Sequence, residues 1–544
     1  MRSTTLLTLA VVWTVGLAAQ QGAPENASIT KADMRADLYF LASDEMRGRL
    51  VGTPENRLAA EFIKSRFERA GLAPAGPDGS YFQPFNLMTM TLGDANELTI
   101  ESEGGPTLQL RSGQDYYPMN FSSSGQSSGD VVFAGFGISS PERGHDDLDG
   151  SVEGKIVMVL QHEPGERDPN SPFDGLVTSE ASRDLRKALY AQARGAVGIL
   201  FVSDVHNHTE TTNFEAQAAG YWPDRPRRVE RYSLARWVDR VEIPAARIST
   251  ALAERLVRGT SRSLDDLARE AEMSGGLAPV PMPGPRVTLR VSVDRHITPD
   301  RNIVAMVEGT DPALKEEWVL VTAHYDHEGA DGNTIYNGAD DDGSGTVALI
   351  DIAEAYARAA ANGQLPRRSV LFADWNAEER GLLGAWAYTE SPLAPLERTV
   401  AVLNMDMIGR NEEVREGGGR RFRGLELQAA EENDTSINIM GYSHSPELAE
   451  AITRANGAFG LRLKMDYDNN PSNLLRRSDQ WPFLQHGVPA IFFHTGLHPD
   501  YHTEFDRPEK INYDKLESIA RLVHQVSWTL ANQDGRPAMT ASRE

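Results

Sequence analysis

Cysteine is absent from the 544-residue chain. That excludes disulfides, a thiol nucleophile, thiolate metal sites and a lipidated cysteine, so any metal must be held by His, Asp and Glu. Positive charge is also in short supply: 54 Lys and Arg stand against 78 Asp and Glu, a formal net charge of −24. A surplus of that size repels phosphate backbones and anionic lipid, which argues against nucleic-acid and membrane-surface partners. Beyond the first 20 residues no segment is long and apolar enough to span a bilayer. What is present is ordinary globular composition, with 40% hydrophobic and 24% charged residues. Collagen-like, disulfide-scaffold and wholly disordered classes are therefore out. The length corresponds to roughly two to four domains.

The N-terminus is the exception to the lack of apolar runs. MRSTTLLTLAVVWTVGLAAQ carries one basic residue, Arg2, then an almost uncharged stretch from Leu6 to Ala19 that ends in small residues. This is the order of a secretory signal peptide over residues 1–20, cleaved near Ala19 or Gln20. A membrane anchor is the competing reading, but the stretch falls short of the ~20 residues a spanning helix needs. The expectation is export to a periplasm or the medium, with no stable membrane insertion after cleavage.

Residues 30–72 read as helical. In ENRLAAEFIKSRFERAG, Leu58, Ala59, Phe62, Ile63 and Phe67 recur at helical spacing, and Gly71 stops the run. Val287, Leu289, Val291 and Val293 alternate with polar residues, as in a half-buried strand. The Pro/Gly-rich stretch GGLAPVPMPGP (275–285) just before them marks a domain boundary. From Asn302 short apolar strands alternate with helical segments, notably 346–363 and 445–459. Strands buried on both faces and alternating with helices predict an α/β fold, a mixed, mostly parallel sheet sandwiched between helices. Residues 96–295 follow another grammar and read as an inserted β-rich α+β domain. The surrounding domain is thereby split into 30–95 and 296–530, and 531–544 read as a flexible tail.

Five segments offer metal-type ligands, four of them at or just beyond strand ends: AHYDH (323–327), NGADDDGSG (337–345), AEERG (377–381), NMDMIGR (404–410) and HPDYHTEFD (498–506). Singly each is weak, since a lone His or Asp at a strand end is more often a cap or a supporting residue. Together they gather carboxylates at one edge of one sheet, where open α/β sheets bind ligands. Bare carboxylates converging there would repel, and buried charges need partners or a metal. With only His, Asp and Glu available, zinc fits, and two ions fit the number of ligands.

These five blocks, in this order, resemble the dizinc exopeptidases of clan MH, which include bacterial leucyl aminopeptidases and glutamate carboxypeptidase and whose fold the transferrin receptor shares. The resemblance extends to SDEMRGRLVGTPENRLAAEFI near the N-terminus and RRSDQWPFLQHGVPAIFF before the last block. FAGFGI, DLDGSVEGKIVMV and ARGAVGILF in the middle are similar to a protease-associated domain, which that family often carries as an insertion. The resemblance implies that His324 and Asp406 hold one zinc, Glu379 and His502 hold the second, and Asp341 bridges both. Asp326 would orient His324. Glu378 would be the general base acting on a zinc-bridging water, and Tyr501 would hydrogen-bond the tetrahedral intermediate.

Several neighbours have plainer readings. His494, His498 and His502 are spaced by four, but Gly496 and Pro499 oppose a helix, so His502 is chosen over His498 on the family block alone. His327 reads as a supporting or rim residue. Asp340 and Asp342 shape the turn, with Ser344 as a cap for the next helix. Gln480 stands where many relatives carry His. His145, Asp146 and Asp147 read as a solvated loop rather than a second metal site. The activity expected is an exported aminopeptidase acting on peptides. A carboxypeptidase or dipeptidase of the same fold is the alternative, and it would need a cation for the substrate carboxylate, with Arg410, Arg476 and Arg477 in candidate loops. A non-catalytic binding protein conflicts with the intact ligand set, and a one-zinc glutaminyl cyclase conflicts with a two-metal set.

Overall fold

The computed structural model describes residues 22–102, 106–209, 213–273 and 275–540. The signal peptide expected over residues 1–20 lies outside them. Among the described residues no helix is long and apolar enough to cross a membrane.

The principal sheet contains β1 (Phe82–Leu92), β2 (Val293–Val307), β3 (Trp318–His324), β4 (Ser369–Trp375), β5 (Thr399–Met405), β6 (Ser436–Met440), β7 (Arg462–Lys464) and β8 (Ala490–His494). Their order across the sheet is β1-β2-β4-β3-β5-β8-β6-β7. The four central strands β4, β3, β5 and β8 are mutually parallel, β2 runs antiparallel to β4, and β1 runs antiparallel to β2. Every residue of β4 and β5 is buried. That requires helices on both faces, because a sheet face this apolar cannot meet water.

One face is covered by α1 (Lys31–Leu41), α2 (Pro54–Ala70), α3 (Gly345–Ala361), α5 (Pro446–Asn456) and α7 (Tyr513–Asn532), and the other by α4 (Leu383–Glu390) and α6 (Gln480–Gln485). The fold class is thus the α/β sandwich expected from the strand pattern. Helix α2 begins where Thr53 accepts the Asn56 amide and ends at Gly71, whose φ of 83° only glycine adopts without strain. It buries Ala59, Ala60, Ile63 and Phe67, while Leu58 is left in solvent.

The chain leaves this sheet after β1, adds Ser233–Leu234 to the edge of β1 on the way, and returns on β2, with Leu92 opposite Val293. Between them lies a second, eight-stranded sheet. Its Val280–Val291 strand buries Val287, Leu289 and Val291 on one side, as the alternation predicts. The Pro/Gly-rich stretch is not a boundary, however. Its second half belongs to this strand, with a register shift between Pro281 and Arg286. A bulge is where a strand tolerates proline, which has no N–H to donate. The two units touch through Glu180, which accepts from Arg476 at 3.1 Å and from the Trp481 indole at 2.9 Å.

The tail is also docked as far as it is described. Thr540 N donates to His444 O at 2.7 Å, Ala538 N donates to Glu447 at 3.0 Å, and Met539 packs on the apolar core.

Candidate metal centre

The expected ligands arrive from separate strand ends because a buried parallel strand has nowhere else to put a charge. His324 is the last residue of β3, Asp406 follows β5, Glu378 and Glu379 lie three and four residues past β4, and Asp341 sits in the turn before α3. His502 comes from the loop after β8, at φ 55°. The structure brings all five together. His324 Nε2 lies 3.4 Å from Asp341 Oδ1 and 3.6 Å from Asp406 Oδ1. His502 Nε2 lies 2.9 Å from Asp341 Oδ2 and 3.2 Å from Glu379 Oε2. The two oxygens of Asp341 therefore face two different ligand groups.

Whether a metal fits here is a question about unpaired atoms. Both ring nitrogens of His324, Asp341 Oδ2, Glu379 Oε1 and Asp406 Oδ1 are buried without a hydrogen-bond partner. Ligand atoms of His324, Asp341 and Asp406 lie within 4.8 Å of one another, as do those of His327, Asp341 and Glu379. Buried lone pairs facing one another across such gaps fit divalent cations. Burial disfavours charge on all of these groups, and their mutual interactions decide the outcome. Glu378 is pushed well above the ordinary carboxylate range by burial, with Glu379 and Asp406 adding to it. For His324 burial lowers the imidazole, but Glu378 and Asp406 outweigh it and the net shift is upward. Asp341 is held low against its own burial by His324 and His502.

Glu378 is set apart from the ligands. Its carboxylate stands 3.8 Å from His324 Nε2 and lines the cleft, while its backbone N–H donates to Asp326 Oδ1 at 3.0 Å. Asp326 faces His324 Nδ1 at 3.7 Å, so its direct bond is to the Glu378 backbone rather than to the imidazole. Tyr501 stacks on His502 with ring centroids 3.9 Å apart and opens onto the cleft. Burial, together with Asp341 and Glu379, pushes its hydroxyl well above 10, so it remains a donor.

The neighbours sort out by geometry. His327 is not at the rim: it is fully buried, with Nδ1 2.8 Å from Glu379 Oε1. His498 stands against Asp340 at 3.3 Å, away from Asp341. Asp340 accepts the Gly409 amide at 2.7 Å and Asp342 accepts the His324, Gly345 and Met407 amides, so both shape the turn. Asp342, not Ser344, caps α3; the Ser344 hydroxyl instead donates to Asp340 O. Gln480 is buried and bonded to Asn404 and to the Leu475 carbonyl.

Three contributors were not singled out from sequence. Arg49, fully buried, donates to the carbonyls of Leu41, Tyr325, Asn337 and Gly338, and so ties the loop of His324 to the loop of Asp341. Asp506 accepts the backbone amides of Asp340 and Asp341. Asp479 is buried with neither carboxylate oxygen bonded. Arg49 and Asp506 act across long sequence separations, and the only signal for all three was their presence in the family-like segments.

The cluster opens into a cavity of about 260 Å³. Besides the cluster carboxylates its wall carries Arg183 from the second unit, Arg476 and Arg477. Arg183 and Arg476 share Glu180, at 2.7 and 3.1 Å. Among the described residues Arg477 donates only to the carbonyls of Arg421 and Ser472.

Residues 302–527 match the profile of peptidase family M28. That match covers less than half of the chain. It is 25% identical over 485 residues to a protein described as "Probable glutamate carboxypeptidase AMP1" from Arabidopsis thaliana, covering 84% of this chain and 61% of that one. It is 31% identical over 168 residues to transferrin receptor protein 2 from Homo sapiens, covering 30% of this chain and 19% of that one. The chain thus spans about three fifths or less of the length of these curated relatives. Among solved structures, an aminopeptidase from Aneurinibacillus sp. strain AM-1 aligns with a TM-score of 0.48 and 18% identity, covering 95% of this chain and 97% of that one.

Proposed function

We propose that this protein is an exported exopeptidase of the M28 type that holds two zinc ions and hydrolyses peptides at a chain end. One observation carries the reading: Asp341 turns its two oxygens to two separate ligand groups, with Glu378 beside them and outside both. His324 and Asp406 would hold one ion, Glu379 and His502 the other, and Asp341 both. When bound, the ions supply a water acidified towards neutral pH and a polarised carbonyl. Glu378 would take the water's proton on its carboxylate and deliver it to the leaving amine. Tyr501 donates its hydroxyl hydrogen bond to the oxyanion that develops. Arg49 and Asp506 keep the ligand loops in register, and Asp326 holds the Glu378 backbone. The signal-peptide-like order of residues 1–20 supports export, and residues 96–295 are proposed to be a protease-associated domain.

The reading for polarity is an aminopeptidase, with cluster carboxylates receiving the substrate ammonium. The three arginines of the cleft favour the carboxypeptidase or dipeptidase alternative. Arg183 and Arg476 are half neutralised by Glu180, whereas Arg477 brings an unpaired charge suited to a substrate carboxylate. A panel of amino-acid p-nitroanilides beside N-blocked peptides with free C-termini separates the two. Activity on the first set alone supports the aminopeptidase. Activity on the second set alone, lost in Arg477→Met, assigns the opposite polarity. No metal-dependent activity on either set, in protein carrying two zincs, defeats the exopeptidase reading.

A further inference from the structure

A second cluster lies in the inserted unit, away from the cleft. Strands Ile156–Leu160 and Gly198–Val202 are parallel neighbours, and the loops leaving their C-terminal ends carry His162, Glu166 and His208. Glu166 uses both oxygens: Oε2 lies 3.3 Å from His162 Nδ1, and Oε1 lies 2.6 Å from His208 Nε2. The two imidazoles stack with centroids 3.9 Å apart and 19° between planes. A ligand atom from each of the three residues falls within 4.8 Å of the others.

We propose that His162, Glu166 and His208 form a metal site separate from the cleft cluster, fitted to a zinc-class divalent cation. A simple ion pair explains the arrangement less well. One carboxylate needs one protonated histidine, and two imidazolium rings stacked face to face would repel. Two neutral imidazoles and a carboxylate are instead a donor set for a borderline metal; magnesium and calcium prefer oxygen ligands alone.

The loops are also held in place before any ion arrives. Glu272 accepts from Gly165 N at 2.8 Å and from the Asn207 amide, and Arg167 donates to Asn207 O. Buried Asp204 accepts the backbone amides of His206 and Asn207 at 3.0 and 3.3 Å, which shapes the turn leading to His208. His162 is held at φ 68°, in the left-handed region, which sets the direction in which its side chain leaves the loop. An ion here would clip one loop to the other. The first of those loops continues through Glu163 and Ser179 to Glu180, at the edge of the cleft.

The test is metal counting, not turnover. Full-length protein stripped of metal is dialysed against micromolar Zn²⁺, and bound zinc is measured by mass spectrometry. The His162→Gln/His208→Gln double variant should bind one equivalent less than the unaltered chain. His296→Gln, an exposed histidine far from the cluster, should bind the full number. Glu166→Gln keeps the shape of the loop and should lose the same equivalent, which covers the case in which the double variant misfolds. Equal zinc in all four proteins overturns the site. Because the result is a difference between chains with the cleft cluster intact, failure of the two-zinc reading would lower every count together and leave this difference untouched.

Discussion

The two sheets bury titratable groups in opposite ways. In the inserted unit nearly every such group has its partner. Asp147 accepts the amides of Phe136, Ile138 and Leu277 and faces His145 Nε2 at 2.9 Å. Lys187 donates to the carbonyls of Leu160 and His162, and Glu163 accepts from Ser179. In the principal sheet His324 has neither ring nitrogen bonded and Asp479 neither oxygen, and Asp341, Glu379 and Asp406 each leave one oxygen bare. A buried polar group left unpaired costs about 1–3 kcal/mol, and more when charged. Several of these together destabilise a fold unless something else satisfies them. Burial by itself therefore says little about function. Burial without a partner, repeated at the ends of neighbouring strands, says where cations and substrate belong.

That contrast can be broken at its strongest point first. Asp341→Asn removes the carboxylate that both ligand groups share, so bound zinc should fall by at least one ion and turnover should fall below detection. Next, Glu378→Gln should keep both ions and lose about 10²–10⁴-fold in turnover, the usual worth of a general base. Loss of zinc in that variant would make Glu378 a ligand. On the other side of the comparison, Lys187→Met should leave the zinc around Asp341 in place but destabilise the inserted unit by about 2–4 kcal/mol, since two carbonyls lose their buried donor. A neutral result in denaturant unfolding would show that those carbonyls find other partners.

How much of this was legible in the sequence depended on how local the physics is. The parallel strands could be read because each is a short apolar run, and their polar ends followed, since His324 and Asp406 have no other way out of a doubly covered sheet. Roles within the five segments could not be told apart by spacing: Asp340, Asp341 and Asp342 are three identical letters, and only the turn geometry turns Asp341 inward while its neighbours accept backbone amides. His145 and Asp147 misled in the other direction, because a polar triplet reads as solvated loop, whereas folding buries it around Asp147. Arg49 was out of reach for a different reason. It acts on Tyr325, Asn337 and Gly338, almost three hundred residues away, and nothing in its own surroundings announces that.

The smallest expected effect tests whether the principal unit's tolerance of uneasy acids ends at the site. Asp351 lies on α3, well inside the helix and away from the ligands, nearly buried and with one long bond from Thr30 N at 3.3 Å. Burial raises its carboxyl to about 8, with Asp33 and Glu354 adding to the shift. Its folded value is thus above its unfolded one, so between roughly pH 4 and 8 the folded state holds more protons than the unfolded state. Stability from this group is then full below pH ~4 and is lost as pH rises through about 8. Asp351→Asn should flatten that slope, leaving stability at pH 4 unchanged and raising it at pH 8. Denaturant midpoints at the two pH values measure the difference. An equal change at both would mean that the carboxylate is answered by charge nearby, as the acids of the inserted unit are, and that unpaired burial in this unit is confined to the metal cluster.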